Sequence, residues 1–231
     1  MALSVHNDGA FSLNPSVWRW YGCVLLLLFG HASSAASEVQ VWDFDQNNPG
    51  MAPPGFHIGT LFDGRPAGDW QVISTDKATS PPHVLAQLHG KGAEHAYKLV
   101  LVQGTEAEDI DLSVKLLPIA GKADMGGGLI WRAADERNYY LVRANPLEQN
   151  IRIYRVVNGV RHMIQNFDHV IDIRQWHRLR VQMRGCDVRV WFDEQAVFTL
   201  CDHRFAKGHV GLWTKSDAVT YFDDVHLQKT R

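Results

Sequence analysis

Three groups of residues pair aromatic rings with cationic or planar donors at strand spacing. They are Trp131 and Arg132 with Tyr139 and Arg143; Trp213 with Lys215 and Asp217; and Trp191 with Arg180 and Arg189. Indole and phenol rings stack on the apolar faces of sugars, while guanidinium, ammonium and carboxylate groups hydrogen-bond the hydroxyls in pairs. Each group has an ordinary alternative, a core or edge aromatic capped by a cation, because buried tryptophan is common. Arg143 poses the choice most sharply, since it follows the apolar run Tyr139-Tyr140-Leu141-Val142 within one strand. Either it points into a polar cleft or it makes an internal ion pair, with Asp217 or Glu148 as partner.

Carboxylates suggest two further chemistries. Retaining glycoside hydrolysis needs an acid and a nucleophile about 5–5.5 Å apart. The densest acidic cluster, Glu106-Ala107-Glu108-Asp109-Ile110-Asp111, has the wrong spacing and sits where a strand begins. Asp124, Asp217 and Asp224 are the catalytic candidates if the acids come from separate strands. Asp223 and Asp224 enter the last strand, expected beside the first strand with Asp43 and Asp45, and such an oxygen-rich corner could hold a structural calcium ion. The competing reading has backbone amides or Lys215 take those oxygens. The absence of H-E-x-x-H, H-x-H and C-x-x-C disfavours zinc. Gly90-Lys91-Gly92 is no nucleotide fingerprint, because no G-x-G-x-x-G feeds a helix.

These side chains need strands to position them. From Trp176 to Leu227, apolar and polar residues alternate in short blocks broken by turn residues, the mark of an antiparallel sandwich or barrel. With Gly185-Cys186 as a two-residue turn, counting back pairs Leu179 with Phe192, Val181 with Val190 and Met183 with Val188 on a buried face. The outer face then pairs Arg178 with Asp193, Arg180 with Trp191 and Gln182 with Arg189. The next strand, Ala196 to Leu200, reads with Val197 and Thr199 inward and Phe198 and Leu200 outward. That parity leaves Trp191 and Phe198 on an outer patch, which is either covered or a ligand platform. Cys186 and Cys201 fall at neighbouring rungs, within reach of a disulfide if their side chains point alike.

Further upstream, residues 39–45 read as a strand with Val39, Val41 and Asp43 on one side, and residues 46–69 as a long loop or an irregular edge. Strands follow at 70–74, 83–88, 98–103, 108–118, 126–134, 138–145, 151–157 and 160–167, the last two joined by the hairpin signal Asn158-Gly159. About a dozen strands and no helix predict a two-sheet sandwich. No linker interrupts residues 38–231, which read as one domain. The formal net charge of −2 points away from nucleic acid as a partner. Residues 1–35 have the form of a secretory signal: a basic flank at Arg19, the apolar run 21–29, and small residues up to Ala35 and Ala36. That run is shorter than the roughly 20 residues of a membrane span, so no span is expected after cleavage. An exported protein, periplasmic or extracellular, permits a disulfide.

The phrases Gly128-Leu129-Ile130-Trp131-Arg132, Asn138-Tyr139-Tyr140-Leu141-Val142-Arg143, Trp176-His177-Arg178-Leu179 and Gly211-Leu212-Trp213-Thr214-Lys215-Ser216-Asp217, followed by Tyr221-Phe222-Asp223-Asp224, carry a resemblance. Together they resemble the concanavalin A-like lectin/glucanase superfamily, most of all its exported bacterial 3-keto-disaccharide hydrolase-like domains. The resemblance implies a jelly roll of two curved antiparallel sheets with carbohydrate on the concave face. Related jelly rolls often carry a calcium ion. The E-x-D-x-x-E string of laminarinase-type enzymes is absent. Fold alone does not assign activity, so three expectations stand. The first is an exported carbohydrate-binding domain without classical glucanase activity, using Trp131, Arg132, Tyr139, Arg143, Trp213 and Lys215, with Trp191 and Arg180 as an outer alternative. The second is a glycoside hydrolase acting on keto-disaccharides or related glycosides. The third is an envelope module that binds protein.

Overall fold

The computed structural model describes residues 39–61, 67–91 and 96–230; the signal-like leader lies outside them. Ala36–Arg231 forms one compact unit. In chain order the strands are β1 (Val39–Trp42), β2 (Phe56–Thr60), β3 (Trp70–Ser74), β4 (His83–Gln87), β5 (Tyr97–Ala107), β6 (Asp109–Ala120), β7 (Gly127–Asp135) and β8 (Asn138–Asn145). They continue with β9 (Asn150–Val157), β10 (Val160–Asp168), β11 (His177–Arg184), β12 (Asp187–Phe192), β13 (Gln195–Cys201), β14 (Gly208–Lys215) and β15 (Val219–Thr230). All pairings are antiparallel. One sheet runs β13-β12-β11-β6-β15-β4-β3 with β1 also on β15; the other runs β10-β9-β8-β7-β14-β5-β2.

Alternation builds the core between the sheets. Ile110, Leu112 and Val114 of β6 lie opposite Met183, Val181 and Leu179 of β11, all buried, across from Leu129, Trp131, Tyr140 and Val142 of the other sheet. Each such side chain contributes about 1.5–3 kcal/mol on leaving water. The β11–β12 hairpin has the register counted from its turn, Leu179 opposite Phe192 through Arg184 opposite Asp187. Asn158 and Gly159, with φ of 51° and 85°, adopt the left-handed pair that a type I′ hairpin requires.

The structure decides four points. Residues 46–69 supply an irregular edge rather than loop throughout, because β2 pairs with β5 there as the edge strand; its Phe-His-Ile-Gly-Thr string is short and follows glycines and prolines. Val39 and Val41 share a side but face solvent, while Trp42 packs on the core. A bulge between Val190 and Trp191 resets β13, so Phe198 opposes Val190 and is buried, and Thr199 is exposed. A bulge adds one residue to one strand and thereby reverses parity beyond it. The outer Trp191–Phe198 patch therefore does not exist. Finally, Arg178 and Asp193 pair across the hairpin as counted, each amide donating to the other residue, but the ion pair of the Arg178 guanidinium is with Glu194 at 2.9 Å.

Asp193 also holds His177, which is nearly fully buried at the start of β11. His177 Nδ1 lies 2.7 Å from Asp193 Oδ2 and Nε2 lies 2.6 Å from the Asp172 carbonyl. A carbonyl can only accept, so Nε2 must carry a proton, and an ionised Asp193 makes the ring doubly protonated. Burial opposes that charge, but the bonds to Asp193 and Asp172 outweigh it and raise the His177 pKa. Burial likewise pushes Asp193 up, and the His177 hydrogen bond overcomes it to hold the carboxyl low.

Two measurements check this architecture. Phe198→Ala should cost about 3–5 kcal/mol in chemical denaturation, and Thr199→Ala no more than about 0.5 kcal/mol; equal costs would return β13 to the simple parity. A raised folded-state histidine pKa contributes stability in full below its unfolded value, near 6.5, and loses it as pH rises through the folded value. The gap in thermal midpoint between wild type and His177→Gln should therefore be widest around pH 5–6 and narrow toward pH 9. A gap that widens with rising pH would show that the ring is neutral in the fold.

Candidate functional site on the concave face

The seven-stranded sheet is apolar on both faces. Its second face carries Tyr97, Leu99, Ile130, Tyr139, Leu141, Tyr154 and Trp213 in a separate buried cluster. Curvature accounts for much of this burial. β10 and β5 stand five pairings apart, about 24 Å on a flat sheet. Yet the Arg161 guanidinium of β10 lies 5.0 Å from the Tyr97 ring centre, as well as 4.4 Å from Tyr154 and 6.0 Å from Trp213. At the same end a side chain on Gly159, in the β9–β10 turn, would touch Leu61 just past β2 at 3.4 Å. The sheet therefore curls until its edges approach, and this face is concave.

Register places the polar groups. One rung across the concave face reads Asn166, Arg152, Arg143, Gly128, Trp213, Leu99. Gly128 is required there, because a Cβ would fall 2.1 Å from the Val142 carbonyl oxygen. Arg143 is buried and resolves its alternatives: it donates to Glu148 Oε2 at 3.0 Å, Asn150 Oδ1 at 2.6 Å and Tyr154 Oη at 3.4 Å. Glu148 also binds Arg152, and its Oε1 accepts from the Asn145 amide. The same amide nitrogen donates to Asp124 Oδ1 at 3.1 Å, and Asp124 Oδ2 takes Lys215 Nζ at 2.9 Å. The result is a continuous network, Lys215–Asp124–Asn145–Glu148–Arg143/Arg152. Its inner members are buried, while Glu148 is 38% and Arg152 29% exposed, so solvent reaches one end.

The electrostatics differ between the two acids. Burial pushes the Asp124 carboxyl up against the opposing pull of Lys215. Burial acts the same way on Glu148, but Arg143 and Arg152 outweigh it and hold that carboxyl low. Deeper in the curl, burial raises the Tyr139 phenol, with the Trp213 indole pulling weakly the other way. Tyr139 Oη and Trp213 Nε1 are both buried without a hydrogen bond of good geometry.

Other candidates lie elsewhere. Trp131 is in the main core, stacked on Tyr140, with Nε1 3.0 Å from Met183 Sδ. Arg132, in the left-handed region at φ 47°, turns to the chain carbonyls of Glu108, Phe205 and Gly185, at 2.7–2.8 Å. Both are structural rather than ligand-facing. On the eight-stranded sheet Arg180 lies between Asp111 and the Trp191 ring, 4.9 Å from its centre, which makes that indole a capped edge. Asp217 accepts the amides of Lys122, Ala123 and Asp124, and Asp224 pairs with Lys115 at 2.7 Å. Of the three catalytic candidates, only Asp124 reaches the concave face.

The calcium corner does not fit its donors. Asp223 accepts from the amides of Thr79, Ser80 and Asp224 and from the Thr79 and Ser80 hydroxyls, while Asp43 accepts the Asp45 amide. Among the described residues these three acids do not gather as a ligand set. Cys186 and Cys201 are joined in a disulfide, Cα–Cα 4.7 Å, tying the hairpin turn to the end of β13. Sequence reasoning missed Arg152, Tyr154 and Arg161 as members of the site. The Asn158-Gly159 turn held the signal, since counting from it sets Val156 beside Arg161 and fixes the face of Tyr154 and Arg152.

No family model matches the chain. Over 108 residues it is 25% identical to a levanase of Bacillus subtilis (strain 168), covering 46% of this chain and only 16% of that enzyme. The carbohydrate-binding module CBM66 from Bacillus subtilis superposes with a TM-score of 0.60 at 19% identity, covering 78% of this chain and 98% of the module. A xylan β-1,4-xylosidase from Bacillus halodurans C-125 gives 0.57 at 14% identity, over 84% of this chain and 40% of the enzyme. At such identities the likeness is one of fold. The two curved antiparallel sheets and these superpositions agree on the architecture: the chain folds as an all-β jelly-roll sandwich of two antiparallel sheets.

Proposed function

We propose that the chain is an exported carbohydrate-binding domain whose ligand docks at the polar mouth of the concave face. The observation that carries this reading is the network from Lys215 to Arg152, which offers planar donors and carboxylate acceptors on a partly exposed rim. Sugar hydroxyls take such donors and acceptors in pairs. The shape of a module named for carbohydrate binding and the partial similarity to a levanase support the reading.

A hydrolytic reading has one observation in its favour. Asp124 and Glu148 share an amide partner while their environments push their acidities in opposite directions, the pattern of an acid and a base. Against it, each carboxylate is already engaged by a cation, so binding is the better use of this geometry.

Isothermal titration against a panel of oligosaccharides, beside an assay for released reducing or keto sugars, tests both readings. Binding without product release is expected. Arg152→Ala should weaken that binding about tenfold with little change in thermal midpoint. Arg180→Ala, on the opposite sheet, should leave binding unchanged; loss on Arg180→Ala with none on Arg152→Ala would move the ligand to the other sheet. Turnover abolished by Glu148→Gln would replace the binding reading with the hydrolytic one.

A further inference from the structure

Among the described residues Arg161 has aromatic rings against its guanidinium and no acid partner. Tyr154, Tyr97 and Trp213 surround it at 4.4, 5.0 and 6.0 Å, and among the described residues it makes no ion pair. Arginine is the residue that best tolerates this arrangement, because its delocalised charge is weakly hydrated and stacks on rings. Stacking uses the faces of the plane and leaves the N–H edge available. Two buried polar atoms of the same cluster, Tyr139 Oη and Trp213 Nε1, face each other without a hydrogen bond of good geometry.

Among the described residues the neighbouring charges do not supply an anion for Arg161. Glu148 is shared by Arg143 and Arg152, and Asp124 is matched by Lys215. Asp168, at the edge on β10, accepts the Asn166 amide at 2.7 Å. Arg143 lies on the same Tyr154 ring, 6.0 Å from its centre, so two guanidiniums flank one phenol. A cation held rigidly by rings, with its fork unfilled, matches a planar oxyanion edge-on.

We infer that the glycan recognised at this face is acidic, its carboxylate or sulfate group docking on Arg161; this rests on the carbohydrate-binding reading above. A neutral sugar would leave the fork to water. An oxyanion would fill it and neutralise the unmatched charge.

The test compares one oligosaccharide in charged and uncharged forms by isothermal titration: oligogalacturonate, its methyl ester, a sulfated oligosaccharide, and a neutral xylo-oligosaccharide of equal length. The free acid is expected to bind about tenfold or more tighter than its ester. That advantage should shrink between about 50 mM and about 500 mM NaCl. Arg161→Gln should abolish it, while Arg161→Lys, which keeps the charge but loses the fork, should retain part of it. Binding of the sulfated sugar alone would assign the oxyanion as sulfate. Ester and neutral sugar binding as tightly as the acid would overturn the inference and leave the carbohydrate-binding reading standing. Binding by none of the four would overturn both. The ester comparison uses the unaltered protein, so it decides the matter even if the Arg161 variants fail to fold.

Discussion

A sheet that is apolar on both faces has to be covered on both. In this protein the eight-stranded sheet covers one face of the seven-stranded sheet, and the seven-stranded sheet goes far toward covering the other by curling. Arg161 is the chief contact across that curl, since it reaches from one edge strand to rings on strands four and five pairings away. Curvature thus converts a row of tyrosine, tryptophan and leucine side chains from an open trough into a second small core. It leaves the polar groups of β8, β9 and β14 gathered at one end.

Partner identity, more than residue type, separates structural from ligand-facing groups. Arg132 and Arg143 are both buried arginines next to apolar runs. Arg132 spends its donors on three chain carbonyls and so pins the β5–β6 junction to two loops. Arg143 spends its donors mainly on side chains, one of which, Glu148, reaches the rim. The acids divide in the same way. Asp217 and Asp223 saturate backbone amides and fix chain direction, as capping carboxylates do. Asp124 and Glu148 bond side chains only, and both meet at Asn145. Buried charge is tolerated at Asp124 and Glu148 because each has a cationic partner and a further hydrogen bond from Asn145.

Much of the fold was legible from alternation and turns. The register of β11 and β12, the I′ turn at Asn158-Gly159 and the inward set of β6 all follow from a period of two, because in a half-buried strand parity decides which side chains leave water. The site was less legible. Trp131 and Trp213 look alike in sequence, each an indole close to a basic residue, yet one is in the main core and the other on the concave face. Parity assigns a residue to a face; it does not say which face is concave or what stands opposite.

The sequence by itself determined an all-β sandwich, the pairing of its hairpins and the nearness of Cys186 to Cys201, since these depend on contacts a few residues apart or on burial along one strand. Tertiary structure alone decided the curl of the seven-stranded sheet, the bulge that turns Phe198 inward and the meeting of Asp124 with Glu148 through Asn145. Those features arise from packing between strands far apart in the chain, where small differences in twist and bulge position accumulate. No local pattern of residue types encodes that accumulated geometry.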